Sequence, residues 1–445
     1  MVTCAAKELK LIHALSAHLT GTTILPSVQK LTWRHADPTD TSVLLLCPPS
    51  LQSLDVSTSR LNTETSVIRP LLQPQHPSQP PEADLTLARL ADVAPSLRQL
   101  TISGVAPRSG AMITPYVSRL TNLRSLHLRN RACLLNPEQI RAILLGAPQL
   151  DTLVTRITDF GERGPPVLAP ALRELMLLES RSPDILSALS GFFDCPDLTC
   201  LDVFAEEEIF SPTIAQIIPA IAVAPFAPSL RTLGVFLLND LQPRLDSDPE
   251  RSPHLATVLH PILGLRALEN IRLTLGTSAL LVEDADMRKI AQAWPAARNI
   301  LLQWLGFGPR AQPPLTILRH FATHCLRLRK LAFTKLTATT KEEGPAVTAP
   351  KETVVSGAGH PLESLHVRFM LGTGDNRVSA ARLIAELFPN LILGEPPQAP
   401  KPRPGRTERS FRVTTGMSWE MVEHEIRVLR GEVAAGNEDE DWSLR

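Results

Sequence analysis

The chain has 445 residues, with 45 basic and 45 acidic side chains, so its formal net charge at neutral pH is zero. This balance argues against a protein whose main partner is nucleic acid or an anionic membrane surface. Hydrophobic residues make up 43% of the chain, which is enough to bury a sizeable core and excludes global disorder. A chain of this length holds either about three ordinary domains or one elongated repeat array.

The N-terminal segment is predicted to be helical. Met1–Leu19 carries charged residues such as Lys7 and Glu8 among its apolar ones, which is typical of an amphipathic helix and unlike the uninterrupted core of a signal peptide. We expect residues 1–24 to form an N-terminal capping helix. No later stretch reaches the roughly 18 apolar residues that a membrane span needs. We therefore expect a cytoplasmic or nuclear protein without a membrane partner.

One sequence phrase recurs between residues 25 and 394. Its form is Pro-x-Leu-x-x-Leu-x-(Leu/Val/Ile), as in PPSLQSLDV at 48–56, APSLRQLTI at 94–102 and APSLRTLGV at 227–235. The first apolar position of each copy is here called its anchor. In most cases, neighbouring anchors are roughly 22 to 34 residues apart. The anchors are Val28, Leu51, Leu97, Leu123, Leu150, Leu172, Leu198, Leu230, Leu268, Ala297, Leu328, Leu362 and Leu391.

The phrase predicts a short strand with one apolar face, because its later leucines alternate with other residues. One such strand cannot bury its leucines alone, whereas stacked copies form a parallel sheet over a continuous core. Helical segments lie between the phrases, and Asn136-Pro137-Glu138-Gln139, for example, is predicted to open a helix through Leu145. The predicted fold class is an α/β solenoid, a horseshoe with a parallel sheet on the concave face and helices on the convex face.

Polar segments interrupt and follow this predicted solenoid of residues 25–394. Insertions near 57–84, 239–253 and 336–361 are predicted to be disordered because of their composition. Residues 395–417 have the composition of a basic, proline-rich linker. A nuclear-import or anion-binding role for this linker stays open beside that of a plain solvated connection.

Residues 418–445 are predicted to form a C-terminal amphipathic helix and an acidic end. Trp419, Val422, Ile426, Leu429 and Val433 recur at three- and four-residue spacing, which makes one apolar stripe. A terminal repeat needs its open core covered, and this favours docking of the helix on the solenoid over docking on a partner.

With this repeat pattern the sequence resembles leucine-rich-repeat proteins. It is similar to ribonuclease-inhibitor-like repeats with full helices, and more closely to the irregular repeat region of fungal F-box proteins. The similarity is strongest over Val282–Phe333, where EDADMRKIAQAWP leads to NILLQWLGFG and then to PLTILRHFATHCLRLRKLAF. The resemblance implies a leucine-rich-repeat solenoid that recognises a protein substrate for a ubiquitin ligase.

The chain departs from this family at its start. Leu25-Pro26 looks like the opening of an F-box, but a repeat phrase follows it, and only Met1–Thr23 precedes the first repeat. We therefore expect the helical F-box module to be missing from this chain, so that a Skp-type adaptor would be a partner only if an F-box is supplied upstream. The chain would be either a truncated F-box protein or a repeat protein that never had the module.

No sequence pattern indicates catalysis, a cofactor or a resident metal ion. Both the phosphate-binding loop Gly-x-x-x-x-Gly-Lys-Ser/Thr and the nucleophile elbow Gly-x-Ser-x-Gly are missing. Cys195 and Cys200 lack a second Cys/His pair at zinc spacing, and His320 and His324 share a helix face without a further ligand in register. We expect the cysteines to be small buried apolar residues in a reducing compartment, and the chain not to be an enzyme.

The strand residues between the leucines are predicted to point to the concave face, and in the middle repeats several of them are apolar. An exposed apolar cluster with a polar rim marks a binding surface. The candidate centre and rim comprise His127, Arg129, Val154, Met176, Leu178, Asp202, Phe204, Phe236, Arg272, His366 and Arg368. The alternative is that an insertion or the C-terminal helix covers these residues.

These features favour a non-catalytic protein–protein interaction scaffold, resembling the substrate-recognition region of an F-box-type ubiquitin ligase receptor. The alternative is a stand-alone leucine-rich-repeat binding module, for protein or, less favoured, nucleic acid, that is unconnected to ubiquitin ligation. Nucleic acid is disfavoured because a balanced composition does not supply a dense basic groove.

Overall fold

The computed structural model describes residues 2–5, 14–15, 18, 24–34, 41–57, 89–103, 110–129, 133–158, 160, 166–206, 213–238, 253–275, 280–304, 312–338, 359–371, 376–393 and 419–432. The chain divides into two compact units, Met1–Leu230 and Arg231–Arg445, here called unit 1 and unit 2. The predicted insertions lie largely outside the described residues, as do the linker and the acidic end. Within the described residues, no helix combines the length and the apolar character needed to cross a bilayer.

Parallel strands form a main sheet and a separate two-stranded sheet in unit 1. They are β1 (Val2–Ala5), β2 (Lys30–Arg34), β3 (Ser53–Ser57), β4 (Gln99–Ser103), β5 (Ser125–Leu128), β6 (Leu134–Leu135), β7 (Thr152–Ile157), β8 (Val167–Leu168), β9 (Glu174–Arg181), β10 (Phe193–Asp194) and β11 (Cys200–Glu206). The order in the main sheet is β1-β2-β3-β4-β5-β7-β9-β11, while β6 pairs with the end of β7 and β8 pairs with β10. Neighbouring repeats therefore place their strands side by side, as the sequence predicts.

The first strand corrects the prediction for the N-terminus. Val2–Ala5 pairs in parallel with β2, Val2 opposite Leu31, instead of opening the amphipathic helix predicted over Met1–Leu19. Among the described residues beyond it, 14, 15 and 18 are helical. The prediction failed at residues 2–5 because it considered helical periodicity alone, whereas the free edge of β2 offers backbone partners to any short segment that can extend.

The sheet of unit 2 has the same parallel arrangement. Its strands are β12 (Thr232–Leu238), β13 (Asn270–Thr274), β14 (Asn299–Gln303), β15 (Lys330–Thr337) and β16 (Ser364–Leu371). They pair in the order of the sequence. Strand β15 runs to Thr337, so the third predicted insertion begins later than the sequence indicates.

The strand leucines of successive repeats lie in register and form a continuous core. In unit 1 the in-register row comprises Leu31, Leu54, Leu100, Leu126, Leu153, Leu175 and Leu201, all buried. In unit 2 the row comprises Leu233, Ile271, Ile300, Leu331 and Leu365, also buried. The predicted α/β leucine-rich-repeat solenoid is confirmed in both units.

The proline of the repeat phrase belongs to a turn that leads into each strand. The amide of Leu97 donates a 3.1 Å hydrogen bond to the carbonyl oxygen of Ala94, and Leu150 bonds Ala147 in the same way at 3.0 Å. A proline at the second position of such a turn loses no hydrogen bond, since its fixed φ suits the turn and its missing N–H is not needed there. Every anchor except Val28 is buried.

Helices connect the strands. Unit 1 has α1 (Gly110–Val117), α2 (Pro137–Gly146), α3 (Ser182–Ser187) and α4 (Thr213–Val223); unit 2 has α5 (Leu255–Leu263), α6 (Asp284–Ala293), α7 (Leu318–His324), α8 (Asn376–Leu387) and α9 (Trp419–Leu429). Shorter helical segments are Thr41–Leu46, Ala188–Phe192, Ala227–Ser229 and Leu315–Ile317. The predicted capping box of α2 is confirmed, because Asn136 and Gln139 each accept a 2.9 Å hydrogen bond from the other's backbone amide.

The C-terminal helix α9 packs on α8 and β16 within unit 2, as predicted. Val422 and Ile426 are fully buried, and an ion pair of 2.8 Å joins Arg377 of α8 to Glu425 of α9. The buried part of the apolar stripe is shorter than predicted, since Leu429 is 44% exposed. Val433 lies outside the described residues.

Candidate binding surface

The candidate residues belong to the side of each sheet that faces away from the buried leucines, here called the open face. In unit 1 its in-register row comprises Thr32, Asp55, Thr101, His127, Val154, Met176 and Asp202. In unit 2 the row comprises Gly234, Arg272, Leu301, Ala332 and His366. The alternation of the repeat phrase thus places these side chains in two rows, one on each unit.

Two candidates of unit 1 do not have the exposure that the sequence predicts. Val154 and Asp202 are each only 3% exposed, although both stand at open-face positions. The neighbouring Arg156 is buried as well. The period of a strand determines the direction of a side chain, but it carries no information about which other segment lies over it. Val154 and Asp202 are therefore corrected from exposed contacts to buried residues.

Three apolar side chains of unit 1 remain partly exposed on the open face, and we call them the apolar cluster: Met176, Leu178 and Phe204. Met176 lies in register with Asp202, whereas the pairing of β9 with β11 shifts between Val203 and Ala205. Because of this β-bulge, two residues of β9 stand opposite Phe204, and Leu178 is one of them. A bulge redirects side chains locally, so this cluster could not be derived from simple alternation.

A more polar stretch lies beside the apolar cluster on the same face. His127 is half-buried, and its Nε2 lies 3.1 Å from the hydroxyl of Ser125. Burial lowers the pKa of His127, and the positive charge of Arg129 lowers it further, while the carboxylate of Asp55 opposes the shift. Arg129 itself is exposed. The open face of unit 1 thus passes from charged and hydrogen-bonding groups to apolar ones.

The candidates of unit 2 form a separate group. Phe236 is partly exposed, and the guanidinium carbon of Arg272 lies 5.8 Å from the centre of its ring. His366 is exposed, whereas the side chain of Arg368 lies outside the described atoms. A chain of side-chain hydrogen bonds crosses the same face, because Asn299 donates to Asn270 and Asn270 donates to Thr232.

Of the two cysteines singled out by the sequence, Cys195 is buried as predicted, whereas Cys200 is partly exposed. Burial raises the pKa of the Cys195 thiol to about 12, so it behaves as the small apolar residue predicted. His320 Nε2 lies 2.9 Å from a carboxylate oxygen of Asp284, and this hydrogen bond lowers the pKa of Asp284. In the part of the chain that the structure describes, no cluster of three His, Cys, Asp or Glu residues could hold a metal ion.

On the open face of unit 2, the sequence analysis missed an exposed basic residue. Lys330 begins β15 in register with Asn299 and Ser364, and it is exposed. A signal was present, because no acidic residue occurs in the five strands of unit 2. Net charge over the whole chain conceals this local imbalance.

Some solved structures are similar to this chain at low sequence identity. No protein-family model matches the chain, and no curated protein matches it. Among solved structures, yeast Rad7 in its complex with Elc1 is 14% identical with a TM-score of 0.33, and the match covers 65% of this chain and 74% of that chain. A leucine-rich-repeat protein of Leptospira interrogans is 13% identical with a TM-score of 0.24, and the match covers 88% of this chain and 99% of that chain. TLR13 in its complex with ssRNA13 is 14% identical with a TM-score of 0.34, covering 79% of this chain and 51% of that chain.

Proposed function

We propose that this chain is a non-catalytic protein-interaction scaffold and that the apolar cluster of unit 1 is its partner-binding surface. The observation that carries the proposal is the partial exposure of Met176, Leu178 and Phe204 on two neighbouring strands, on the side of the sheet away from the leucine core. Large apolar side chains that gather on a surface and border polar groups are the usual centre of a protein interface.

The scaffold supports binding because the strands are already ordered. Leu175 and Leu177 of β9 are buried, and they hold the strand that carries Met176 and Leu178. Backbone pairing fixes β9 between β7 and β11. A partner therefore meets side chains whose backbone needs little further ordering, which lowers the entropic cost of association.

The test is replacement of Phe204 by Asp in the full chain, followed by quantitative affinity capture of cellular proteins identified by mass spectrometry. We expect partner recovery to fall at least about tenfold, as for a buried aromatic contact at an interface centre. The matched control is Leu145→Asp, since Leu145 of α2 is 70% exposed and lies away from the open face. Equal recovery by wild type and Phe204→Asp would contradict the proposal, as would an equal loss with Leu145→Asp.

The finer part of the proposal comes from the resemblance over Val282–Phe333. We propose that the bound partner is a substrate of an F-box-type ubiquitin ligase, for which this chain supplies the recognition region. Capture of a Skp-type adaptor and a cullin together with the chain, from cells expressing the complete gene product, is the expected result. Reproducible partners without adaptor or cullin would favour the alternative, a stand-alone binding module.

A further inference from the structure

The residues directly after the anchors form a row along the edge of each sheet where the strands begin, and we call them the edge row. Within each unit, successive members are joined by a hydrogen bond from the backbone amide of one to the carbonyl oxygen of the one before it, 2.7 to 2.9 Å long. Their backbones therefore follow one another at the spacing of adjacent strands, about 4.8 Å. The described row comprises Gln29, Gln52, Arg98, Arg124, Asp151, Arg173 and Thr199 in unit 1, and Arg231, Glu269, Arg298, Arg329, Glu363 and Ile392 in unit 2.

The arginines of the edge row in unit 2 are paired with glutamates of the same row. One carboxylate oxygen of Glu269 lies 3.0 Å from the guanidinium of Arg231, and the other lies 3.4 Å from that of Arg298. A carboxylate oxygen of Glu363 lies 3.6 Å from the guanidinium of Arg329. Opposite charges on neighbouring strands stabilise a sheet and like charges destabilise it, so the edge of unit 2 has the favourable arrangement.

Arg98 and Arg124 of unit 1 depart from this arrangement. They are successive members of the edge row, and the amide of Arg124 donates a 2.7 Å hydrogen bond to the carbonyl oxygen of Arg98. Both side chains are exposed, and within the described part of the chain neither guanidinium has a hydrogen bond or an ion pair. An arginine keeps its charge at any pH at which proteins fold. Two uncompensated positive charges therefore stand on adjacent repeats.

The carboxylates closest to this pair in the sequence do not compensate it. Asp151 follows the pair in the edge row, but its carboxylate accepts a 3.0 Å hydrogen bond from the hydroxyl of Thr152 and forms no ion pair with a described residue. Asp92 is paired with Arg119. The described residues between positions 24 and 129 contain seven lysines and arginines against two aspartates, so the surroundings of the pair are basic as well.

We propose that Arg98 and Arg124 bind the phosphoserine side chain of a partner protein. A phosphate monoester carries close to two negative charges and three strong acceptor oxygens, so one phosphate can accept hydrogen bonds from both guanidiniums. A single carboxylate is already matched by one guanidinium in a bidentate pair, and it would leave the second positive charge uncompensated. This site precedes β4 and β5 and does not depend on the apolar cluster of β9 and β11.

Nucleic acid also carries phosphates, but the surroundings of the pair favour a peptide. Binding to nucleic acid through its backbone requires many phosphate contacts, and two arginines supply few of them. Single strands also stack their bases on aromatic side chains. The described positions that flank the pair in the row and in the sequence are uncharged polar residues, which suit the backbone of a peptide: Gln52, Ser96, Gln99, Thr121 and Asn122.

The experiment measures the fluorescence anisotropy of a fluorescein-labelled peptide, with a central phosphoserine between glycine and serine residues, during titration with the full chain at low salt. The control peptides carry serine or glutamate in place of the phosphoserine. We expect the phosphopeptide to bind at least about tenfold more tightly than either control. Arg98→Gln and Arg124→Gln should each raise its dissociation constant about tenfold.

The matched control variant is Arg329→Gln. It removes an arginine of the same row from unit 2, where Glu363 is its partner, and should change the dissociation constant of the phosphopeptide less than about twofold. Asp151→Asn should lower that constant about twofold, because a carboxylate that repels the phosphate is lost beside the site. Phe204→Asp should leave phosphopeptide binding unchanged, which separates this result from the outcome for the proposed function.

The proposal is overturned if the phosphopeptide does not bind, if the serine or glutamate peptide binds as tightly, or if Arg329→Gln weakens binding as much as Arg124→Gln. It is also overturned if inorganic phosphate alone binds as tightly as the phosphopeptide, or if single-stranded oligo-dT displaces the peptide and binds more tightly. Circular dichroism must show that the glutamine variants fold like the wild type. Arg124→Lys is a second variant, and its affinity should be intermediate because it keeps the charge without the bidentate geometry.

Discussion

The guanidinium of Arg430 donates a 2.7 Å hydrogen bond to the carbonyl oxygen of Leu391. It also donates to the carbonyl oxygens of Pro389 and Phe388, at 3.0 and 3.2 Å. These carbonyls follow α8, at the end of a helix where backbone acceptors lack helical partners. The side chain of Arg430, directly after α9, therefore connects this C-terminal helix to the last repeat of unit 2 by hydrogen bonds.

Replacement of Arg430 by Ala should destabilise unit 2. We expect a loss of about 1–3 kcal/mol, because three hydrogen bonds from a charged donor disappear, two of them partly buried. Hydrogen exchange followed by mass spectrometry is the measurement, and faster exchange in α8 and α9 is the expected result. Arg430→Lys keeps the charge but cannot reach three carbonyls at once. Its exchange rates in α8 and α9 should therefore lie between those of the wild type and of Arg430→Ala. Exchange in α9 that is unchanged by Arg430→Ala would show that the helix docks without this contact.

A buried histidine joins two repeats of unit 2. His360 Nε2 lies 3.1 Å from the carbonyl oxygen of Cys325, while the amide of Leu362 donates to Nδ1 at 3.2 Å. Its ring packs edge-on against Phe388, with 5.1 Å between the ring centres. Both contacts are satisfied together only by the neutral ring protonated on Nε2, because a protonated Nδ1 could not accept from Leu362. Burial lowers the pKa of His360, against the opposing effect of the Cys325 carbonyl.

This lowered pKa predicts acid sensitivity. Above the ordinary histidine pKa of about 6.5, the ring is neutral in both the folded and the unfolded state, and its contribution to stability is complete. As the pH falls below that value, the unfolded state takes up a proton more readily, so stability falls until the folded pKa is passed. Urea unfolding at about pH 7.5 and about pH 5.5 checks this, and His360→Gln should show a smaller change between them. An equal change in both proteins would assign the effect to other groups.

The in-register leucines should dominate the stability of each unit. Leu175→Ala removes a buried side chain between Leu153 and Leu201, so we expect a cost of about 2–5 kcal/mol from the lost contacts and the cavity. The control Leu145→Ala, at a largely exposed site, should change stability by less than about 0.5 kcal/mol. Denaturant unfolding measures both. A small effect of Leu175→Ala would mean that the neighbouring repeats close over the gap.

Much of the fold could be predicted from the repeat pattern, because the turn and the strand of each copy depend on residues close together in the sequence. Proline and leucine at fixed spacing specify a turn and a strand in each copy, and the bonds from Leu97 to Ala94 and from Leu150 to Ala147 show this turn. The capping box at Asn136 could also be predicted, since the groups that form it are three residues apart. The position of β1 could not be predicted in this way, because Val2–Ala5 carries no copy of the repeat phrase.

The repeat pattern alone predicts the strand and helix of each copy, the inward direction of the anchors and the open-face direction of the residues between them, because each depends on contacts within one repeat or on the pairing of adjacent ones. The folded chain shows in addition that Val154 and Asp202 are buried while Phe204 is partly exposed, and that Arg272 lies over Phe236. Exposure and pairing of this kind depend on segments far apart in the chain, and neither residue type nor spacing records which of them meet.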